Sequence, residues 1–259
     1  MNAVEIYKRL PMLNCGKCRQ KTCMSFAFSL LGGEAELSEC PDLTEDEIES
    51  LKNSIRTSDS REELISQLQK EVRAISFQEI AAGLGAEMKE KSLVVRALGR
   101  EFDITPDGEI STKGHITPWI KILLLHYVRI HGQTPLSGTW FSYAELRSGM
   151  VKALSFLREC EDPLRELLDR EFRAVSGILQ KLGAEKRGGF AAKNAWHLFL
   201  LPKVPVLILY WPQEDEFESK VSILFDSTAD RFLDAESLIF LCEGLIDNIE
   251  AHIQYGERV

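Results

Sequence analysis

The sequence predicts an α+β protein with a small cysteine-rich helical module followed by a larger mixed α+β domain. Four of the six cysteines lie within the first 40 residues. After residue 75, helical periodicity alternates irregularly with apolar strand-like runs. A chain of 259 residues with 44% hydrophobic residues can also bury a sizeable core. We expect three segments, a module at 1–43, a helical connector at 44–74 and an α+β domain at 75–259.

Two short helices are predicted in the module. The first spans Asn2 to Leu10 and ends at Pro11, because proline has no N–H and clashes with the preceding turn. The second begins near Cys23 and ends at the glycine pair 32–33, since glycine readily adopts the conformation that closes a helix.

The connector is predicted to hold two helices with a linker between them. Thr44-Glu45-Asp46-Glu47 is a capping-box signature for the start of the first helix, and Ser60-Arg61-Glu62-Glu63 is a second one. The polar stretch from Asn53 to Ser60 between them is poor in apolar residues. We therefore expect the linker between the two domains there.

The large domain is predicted to alternate strands and helices. Proline and glycine in Pro106-Asp107-Gly108 indicate a turn, and Thr117-Pro118 indicates a helix start. Further helices are expected from Asp162-Pro163 to Gly183 and from Ala235 to Gln254. The expected strands are Leu93–Leu98, Glu101–Thr105, Ala195–Leu201, Val204–Trp211 and Val221–Phe225.

The cysteine spacing Cys15-x2-Cys18-x4-Cys23-x16-Cys40 predicts one metal centre. A [4Fe-4S] cluster needs four thiolates, and Cys-x2-Cys is a spacing with which a tight loop contacts two irons. Four-cysteine zinc sites also use Cys-x2-Cys, although usually as two such pairs, so zinc is an alternative. A disulfide framework is a third possibility, disfavoured because we see no secretory segment before the motif.

The same residues carry a resemblance to a known domain. The sequence around Asn14-Cys15-Gly16, together with Cys18, Cys23 and Cys40-Pro41, resembles the small [4Fe-4S] domain of the corrinoid/iron–sulfur protein and of the B subunit of Rnf-type electron-transport complexes. The resemblance implies that Cys15, Cys18, Cys23 and Cys40 bind one [4Fe-4S] cluster. It covers only the first module.

Basic side chains are interleaved with the cysteines. We expect Lys17, Arg19 and Lys21 to offset part of the cluster's negative charge and to form a docking face for an acidic redox protein such as a ferredoxin.

The large domain carries a second resemblance. Its Pro135-Leu136-Ser137-Gly138-Thr139-Trp140 segment, with Leu201-Pro202-Lys203-Val204-Pro205 and the Trp211 to Asp226 region, resembles an uncharacterised domain family that accompanies this cluster module in anaerobes. It implies an anaerobic setting and no particular activity.

Acidic residues between the last two strands and beyond them are the best candidate for a cleft. They could serve acid/base chemistry or bind a cation, but a solvated hairpin tip with a helix cap is the more frequent structure for such a pattern. The acidic residues are Glu214, Asp215, Glu216, Asp226 and Asp230. Trp140, Trp196 and Trp211 could line a pocket for a planar cofactor, although aromatic residues in such surroundings are more often core.

Composition excludes several classes of protein. A net charge of −9 argues against nucleic-acid binding. No apolar run reaches the roughly 18 residues that span a bilayer, and the chain is expected to be cytoplasmic. Neither a phosphate-binding glycine loop nor a serine-hydrolase motif is present.

Three functions remain open. The first is one-electron transfer to or from a redox protein, a corrinoid or redox enzyme, or a bound acceptor. The second is a redox enzyme fed by the cluster, with its site around Trp140, Trp211, Asp215, Glu216 and Asp226. The third is a non-catalytic sensor or assembly protein in which the cluster is structural. The sequence does not decide whether the chain is an enzyme.

Overall fold

The computed structural model describes residues 3–31, 35–214 and 217–256, with only the backbone described at 56–60 and 255. The chain divides into an N-terminal unit, Met1–Leu64, and a C-terminal unit, Ile65–Val259. Together they form a mixed α+β fold with antiparallel sheets, as the sequence predicts.

The N-terminal unit is helical. It contains α1 (Ala3–Arg9), α2 (Cys23–Leu31), a short 3₁₀ turn (Leu37–Glu39) and the first part of α3 (Glu45–Val72). Helices α1 and α2 pack on each other and on α3 around one apolar cluster that includes Ile6, Phe26 and Leu51. The Thr44 capping box is confirmed, because Thr44 N–H donates to Glu47 at 2.8 Å and Glu47 N–H donates to Thr44 Oγ1 at 3.3 Å.

The expected helix start at Ser60 is wrong, because α3 runs without interruption from Glu45 to Val72 and the stretch Asn53–Ser60 is helical. Polarity alone does not end a helix, and this stretch contains neither proline nor glycine. The second capping-box signature, at Ser60, therefore lies inside α3 and does not mark the start of a helix.

The C-terminal unit contains two antiparallel sheets. The first has the order β1 (Glu87–Lys89), β2 (Ser92–Ala97), β3 (Arg100–Ile104) and β4 (Ile110–Ser111). The strands of the second are β5 (Trp140–Ser142), β6 (Glu185–Lys186), β7 (Asn194–Leu201), β8 (Val204–Trp211) and β9 (Lys220–Asp226). Their order is β5-β9-β8-β7-β6. The two sheets meet where Leu98 N–H donates to Leu200 C=O at 2.9 Å.

Five helices complete this unit. They are α4 (Phe77–Leu84), α5 (Pro118–Ile130), α6 (Gly149–Phe156), α7 (Asp162–Lys181) and α8 (Ala235–Tyr255). Thr117 caps α5, whose side chains are buried over much of its circumference. It packs on α8, and α8 packs in turn on α7. The core of the unit is formed by these helices and by both sheets.

The buried hydroxyl of Tyr127 connects two parts of the C-terminal unit. Tyr127, on α5, is fully buried and donates to Leu84 C=O at 2.6 Å, while Lys203 N–H donates to its oxygen at 3.2 Å. Burial raises the pKa of Tyr127, partly offset by the bond from Lys203, so the phenol stays neutral. A single side chain thus ties α4 to the β7–β8 turn.

Helix α7 begins at Asp162-Pro163, as the sequence predicts, but it continues from a helical segment before it. A π turn, Leu157–Glu161, joins α6 to α7, so the chain is helical from Gly149 onward. Proline is tolerated in the first turn of a helix, and here Pro163 lies in the first turn of α7, directly after the π turn. Among the described residues, no helix meets the length and apolarity that a bilayer span requires.

Candidate metal centre

The four N-terminal cysteines come from three local structures. Cys15 and Cys18 lie in the loop between α1 and α2, and Cys23 is the first residue of α2. Cys40 follows the 3₁₀ turn, where its N–H donates to Leu37 C=O at 3.2 Å. All four line one hollow. The volume that no atom occupies there, including the part open to solvent, is about 300 Å³.

The hollow has an apolar back wall. Leu10 and Phe26 are buried and line it together with the cysteines. Cys23 and Cys40 are 8% exposed and belong to the apolar cluster of this unit, Cys18 packs against that cluster, and Cys15 is exposed. Burial raises the pKa of the Cys40 thiol, as does the proximity of Cys18 and Cys23. Deprotonating that thiol therefore needs a compensating positive charge, which a bound metal supplies.

The loop before α2 has an unusual backbone. Met12, Asn14 and Gly16 all have left-handed conformations, with φ of 54°, 46° and 66°. A Cβ at Gly16 would meet nothing within 4 Å, so the backbone conformation is what favours glycine there. Asn14 N–H donates to Cys23 Sγ at 3.4 Å, and Cys23 N–H donates to Asn14 Oδ1 at 2.8 Å. The loop and the start of α2 therefore hold each other in place.

Two of the three basic residues expected beside the cysteines are paired with acids. Lys17 Nζ lies 3.1 Å from Asp42 Oδ1, and Arg19 Nε lies 3.9 Å from Glu39 Oε2. The pair raises the pKa of Lys17 and lowers that of Asp42. The Asp42 carboxylate also accepts a hydrogen bond from Cys15 Sγ at 3.5 Å. The positive charge near the site is thus smaller than a count of Lys17, Arg19 and Lys21 suggests.

The thiols surround the hollow and do not converge on a point. Among the residues that the structure describes, no three Cys, His, Asp or Glu side chains are placed to hold a single metal ion.

The other two cysteines, Cys160 and Cys242, are both fully buried in the C-terminal unit. Cys160 lies within the π turn between α6 and α7 and donates to Ile239 C=O at 3.7 Å.

The segment Pro135–Trp140 is organised by one carboxylate. Asp226, 1% exposed at the end of β9, accepts hydrogen bonds from Ser137, Gly138 and Thr228, at 2.6 to 3.1 Å. Burial raises the pKa of Asp226, but the hydrogen bonds together outweigh burial, and the pKa lies below its ordinary value. This ionised side chain holds the loop that leads into β5.

Two family comparisons match separate parts of the chain. A family described as "Domain of unknown function (DUF3786)" matches residues 76–248, about two thirds of the chain. The chain belongs to the DUF3786 family. A second family, described as "Putative Fe-S cluster", matches residues 10–41, so the chain carries an iron–sulfur domain in front of its DUF3786 domain.

Several known relatives match a short stretch of this chain. The gamma subunit of the acetyl-CoA decarbonylase/synthase complex of Methanothermobacter thermautotrophicus is 43% identical over 53 residues, which is 20% of this chain and 12% of the relative. The corrinoid/iron-sulfur protein large subunit of Moorella thermoacetica is 49% identical over 41 residues, 16% of this chain and 9% of the relative. The chain thus spans about a tenth of these relatives. No solved structure gives a significant match.

The predicted acidic residues that the structure describes do not form one site. Glu214 is exposed and paired with Lys193 at 2.7 Å, and Asp230 accepts from Arg147 N–H at 3.0 Å. Asp226 is held as described above, and Asp215 and Glu216 lie outside the described residues. The described members therefore have separate structural partners.

The three tryptophans considered for a cofactor pocket, Trp140, Trp196 and Trp211, lie on two faces of the larger sheet. Trp196 is fully buried in the main core, which the sequence treats as the more frequent outcome. Trp140 and Trp211 lie on the other face of the sheet, in a small apolar cluster with Leu207 and Leu209. They do not form a single pocket with Trp196.

Sequence reasoning missed Asn14 and Asp169. Asn14 lies next to Cys15, and the role that was missed is its hydrogen bonding to Cys23. The one signal for it in the sequence is that Asn adopts left-handed backbone more easily than most residues. Asp169, on α7, accepts from Tyr210 at 2.7 Å, from Ser219 at 2.5 Å and from Arg165 at 3.2 Å. No local pattern links these positions, because the contacts to Tyr210 and Ser219 cross 41 and 50 residues.

Proposed function

We propose that Cys15, Cys18, Cys23 and Cys40 bind one [4Fe-4S] cluster, and that the chain passes single electrons to or from a redox partner or a bound acceptor in anaerobic metabolism. In this proposal the iron–sulfur module occupies residues 1–43, a helical connector follows at 44–74, and the domain at 75–259 docks the partner or holds the acceptor. The observation that carries the proposal is that four thiols line one hollow within the iron–sulfur region.

The donor set and its surroundings fit this cofactor. Four thiolates are the ligands of a [4Fe-4S] cluster, and an apolar back wall such as that of Leu10 and Phe26 limits solvent access. Backbone N–H groups at the start of α2 favour negative charge nearby. When bound, the cluster would supply a one-electron couple, while the chain supplies the thiolates, the hollow and the surface that a partner meets.

The relatives support the choice of partner class. Their names describe subunits of an acetyl-CoA decarbonylase/synthase complex and of a corrinoid/iron-sulfur protein. We therefore expect a redox protein such as a ferredoxin, or a corrinoid or other redox enzyme, to exchange electrons with this chain. Exposed Met12 and Leu13, with Lys17 and Lys21 close by in the same loop, provide a mixed apolar and basic surface beside Cys15.

The metal content tests the cofactor. Protein purified without oxygen should hold about four irons and four acid-labile sulfides per chain and should lose its brown colour in air. Iron and sulfide analysis with electron paramagnetic resonance of the dithionite-reduced protein would measure this. Stoichiometric zinc with no labile sulfide would overturn the proposal.

The electron-transfer rate tests the function. Reduction by an acidic ferredoxin should slow as salt rises, because screening weakens attraction to the basic loop. Lys21→Gln should slow it more than Lys17→Gln, because the Lys17 charge is already paired with Asp42. Lys91→Gln, an exposed position in the turn after β1, serves as the control. A cluster that ferredoxin and dithionite both fail to reduce would contradict electron transfer and favour a structural role.

A further inference from the structure

The four predicted ligands differ in how the protein holds them. Cys23 and Cys40 are buried members of the apolar cluster in the N-terminal unit, and Cys18 packs against that cluster. Cys15 is not a member of this cluster and is exposed. The residues on either side of Cys15, from Met12 to Lys17, are exposed as well.

Cys23 is the most firmly fixed of the four. Its position at the start of α2 is set by the helix, and Asn14 bonds it twice, once through the backbone N–H to Sγ and once through Oδ1 to the Cys23 N–H. The left-handed φ of 46° at Asn14 directs these two groups towards the same residue, and asparagine adopts that conformation more easily than most residues. A hydrogen bond to the sulfur and an anchored backbone both favour retention of a ligand.

Cys15 has the opposite environment. Its sulfur lies 3.5 Å from Asp42 Oδ2. A carboxylate does not stabilise a neighbouring thiolate, and the Asp42 charge is shared with Lys17 at 3.1 Å. Apart from its contact with Asp42, this sulfur has neither the packing in the apolar cluster nor the bonds from Asn14 that hold Cys23.

We propose that Cys15 is the exchangeable ligand of the site and that Asn14 is a positioning residue that makes Cys23 its anchor. The inference rests on the proposed [4Fe-4S] site. It assigns the Cys15 corner as the place where a small external thiolate can take the ligand's position, and where a partner approaches most closely.

Chemical rescue tests the exchangeable ligand. Cys15→Ala and Cys23→Ala proteins would be reconstituted with ferrous iron and sulfide without oxygen, with and without 2-mercaptoethanol. With the thiol, Cys15→Ala should retain iron within about twofold of the unaltered protein, whereas Cys23→Ala should retain about a tenth. Equal loss in both variants, or equal rescue of both, would overturn the proposal.

A second measurement uses the unaltered, cluster-loaded protein and so does not depend on the folding of a variant. Iodoacetamide labelling followed by peptide mass spectrometry should modify Cys15 first among the four cysteines. Labelling of Cys23 or Cys40 at the same rate as Cys15 would overturn the proposal. If the unaltered protein bound no iron and sulfide at all, the proposed function itself would fail, which is a different result.

The anchor is tested at Asn14. Asn14→Ala removes the oxygen that accepts from Cys23 and the side chain that favours left-handed backbone, so release of iron to a chelator should accelerate about tenfold. Asn14→Asp keeps an accepting oxygen and tolerates the same backbone, and its release rate should stay close to that of the unaltered protein. The cluster's reduction potential and paramagnetic spectrum give a readout that a merely structural role would not change. Identical release rates and spectra in Asn14→Ala and the unaltered protein would remove Asn14 from the proposal.

Discussion

The two units of this chain are stabilised in different ways. Among the described residues, the N-terminal unit buries nine side chains in its apolar cluster, and two of these are the cysteines Cys23 and Cys40. The main core of the C-terminal unit contains fifty buried residues drawn from helices and both sheets. Small domains bury too little surface to be stable without disulfides, metals or other supports. We therefore expect the proposed metal to contribute to the folding of the N-terminal unit, whose apolar cluster is small.

Metal removal should have the largest effect on this comparison. Because metal binding contributes directly to folding free energy in small metal-dependent domains, stripping the iron with a chelator should abolish hydrogen-exchange protection in residues 3–31 and 35–43. The C-terminal unit should keep its protection and its melting temperature. Mass spectrometry of exchanged peptides measures both units in one sample, and equal loss of protection in both would break the distinction.

Tyr127→Phe should affect the C-terminal unit alone. The change leaves Leu84 C=O and Lys203 N–H without their buried partner, which costs about 1–3 kcal/mol. We expect the melting temperature of that unit to fall by about 2–10 °C. Iron content should not change.

Tyr143→Phe is the matched control for that variant. The Tyr143 hydroxyl donates a single hydrogen bond, to Ala235 C=O at 2.8 Å, so its loss should cost about 1 kcal/mol, at the lower end of the range. A larger loss of stability from Tyr143→Phe than from Tyr127→Phe would contradict the role assigned to Tyr127.

The smallest expected effect concerns acid. Asp234 caps α8 by accepting from Ser237 N–H at 2.8 Å and lies 3.4 Å from His126 Nδ1. The His126 contact, opposed by burial and reinforced by Ser237, lowers the pKa of Asp234 well below its ordinary value. A lowered pKa stabilises the fold above the unfolded value of about 4, and this contribution is lost as the pH falls below it.

Two substitutions at Asp234 separate the charge from the cap. Asp234→Asn keeps a capping oxygen but has no charge, so its stability should depend less on pH below about 4 than that of the unaltered protein. Asp234→Ala removes both and should cost about 1 kcal/mol at neutral pH. Thermal unfolding as a function of pH measures these differences. A pH dependence that is identical in Asp234→Asn and in the unaltered protein would exclude the charge effect.

Sequence patterns determine much of this fold but not its long-range contacts. The β2 and β3 strands, the start of α5 at Thr117-Pro118 and the strongly apolar β8 strand follow from local periodicity and turn residues. The continuity of α3 and the π turn before α7 were missed, because capping signatures also occur inside helices. The four cysteines of the site are evident from their spacing, whereas the Asn14 bonds depend on a backbone conformation that spacing does not reveal.

The π turn before α7 has a consequence for self-association. Glu161 is the last residue of this turn, and its Oε1 accepts a hydrogen bond from Ile223 N–H of β9 at 2.8 Å. The three-residue strand β5 pairs with the next residues of β9, Leu224 to Asp226. Thr139 C=O accepts from Ser227 N–H beyond β5 at 2.8 Å. Open sheet edges invite pairing with a second chain, and proteins protect them with short strands and inward charges. The π turn, the Asp226-held loop and β5 thus occupy the part of β9 from Ile223 to Asp226, which limits the pairing of this part of the sheet with a second chain.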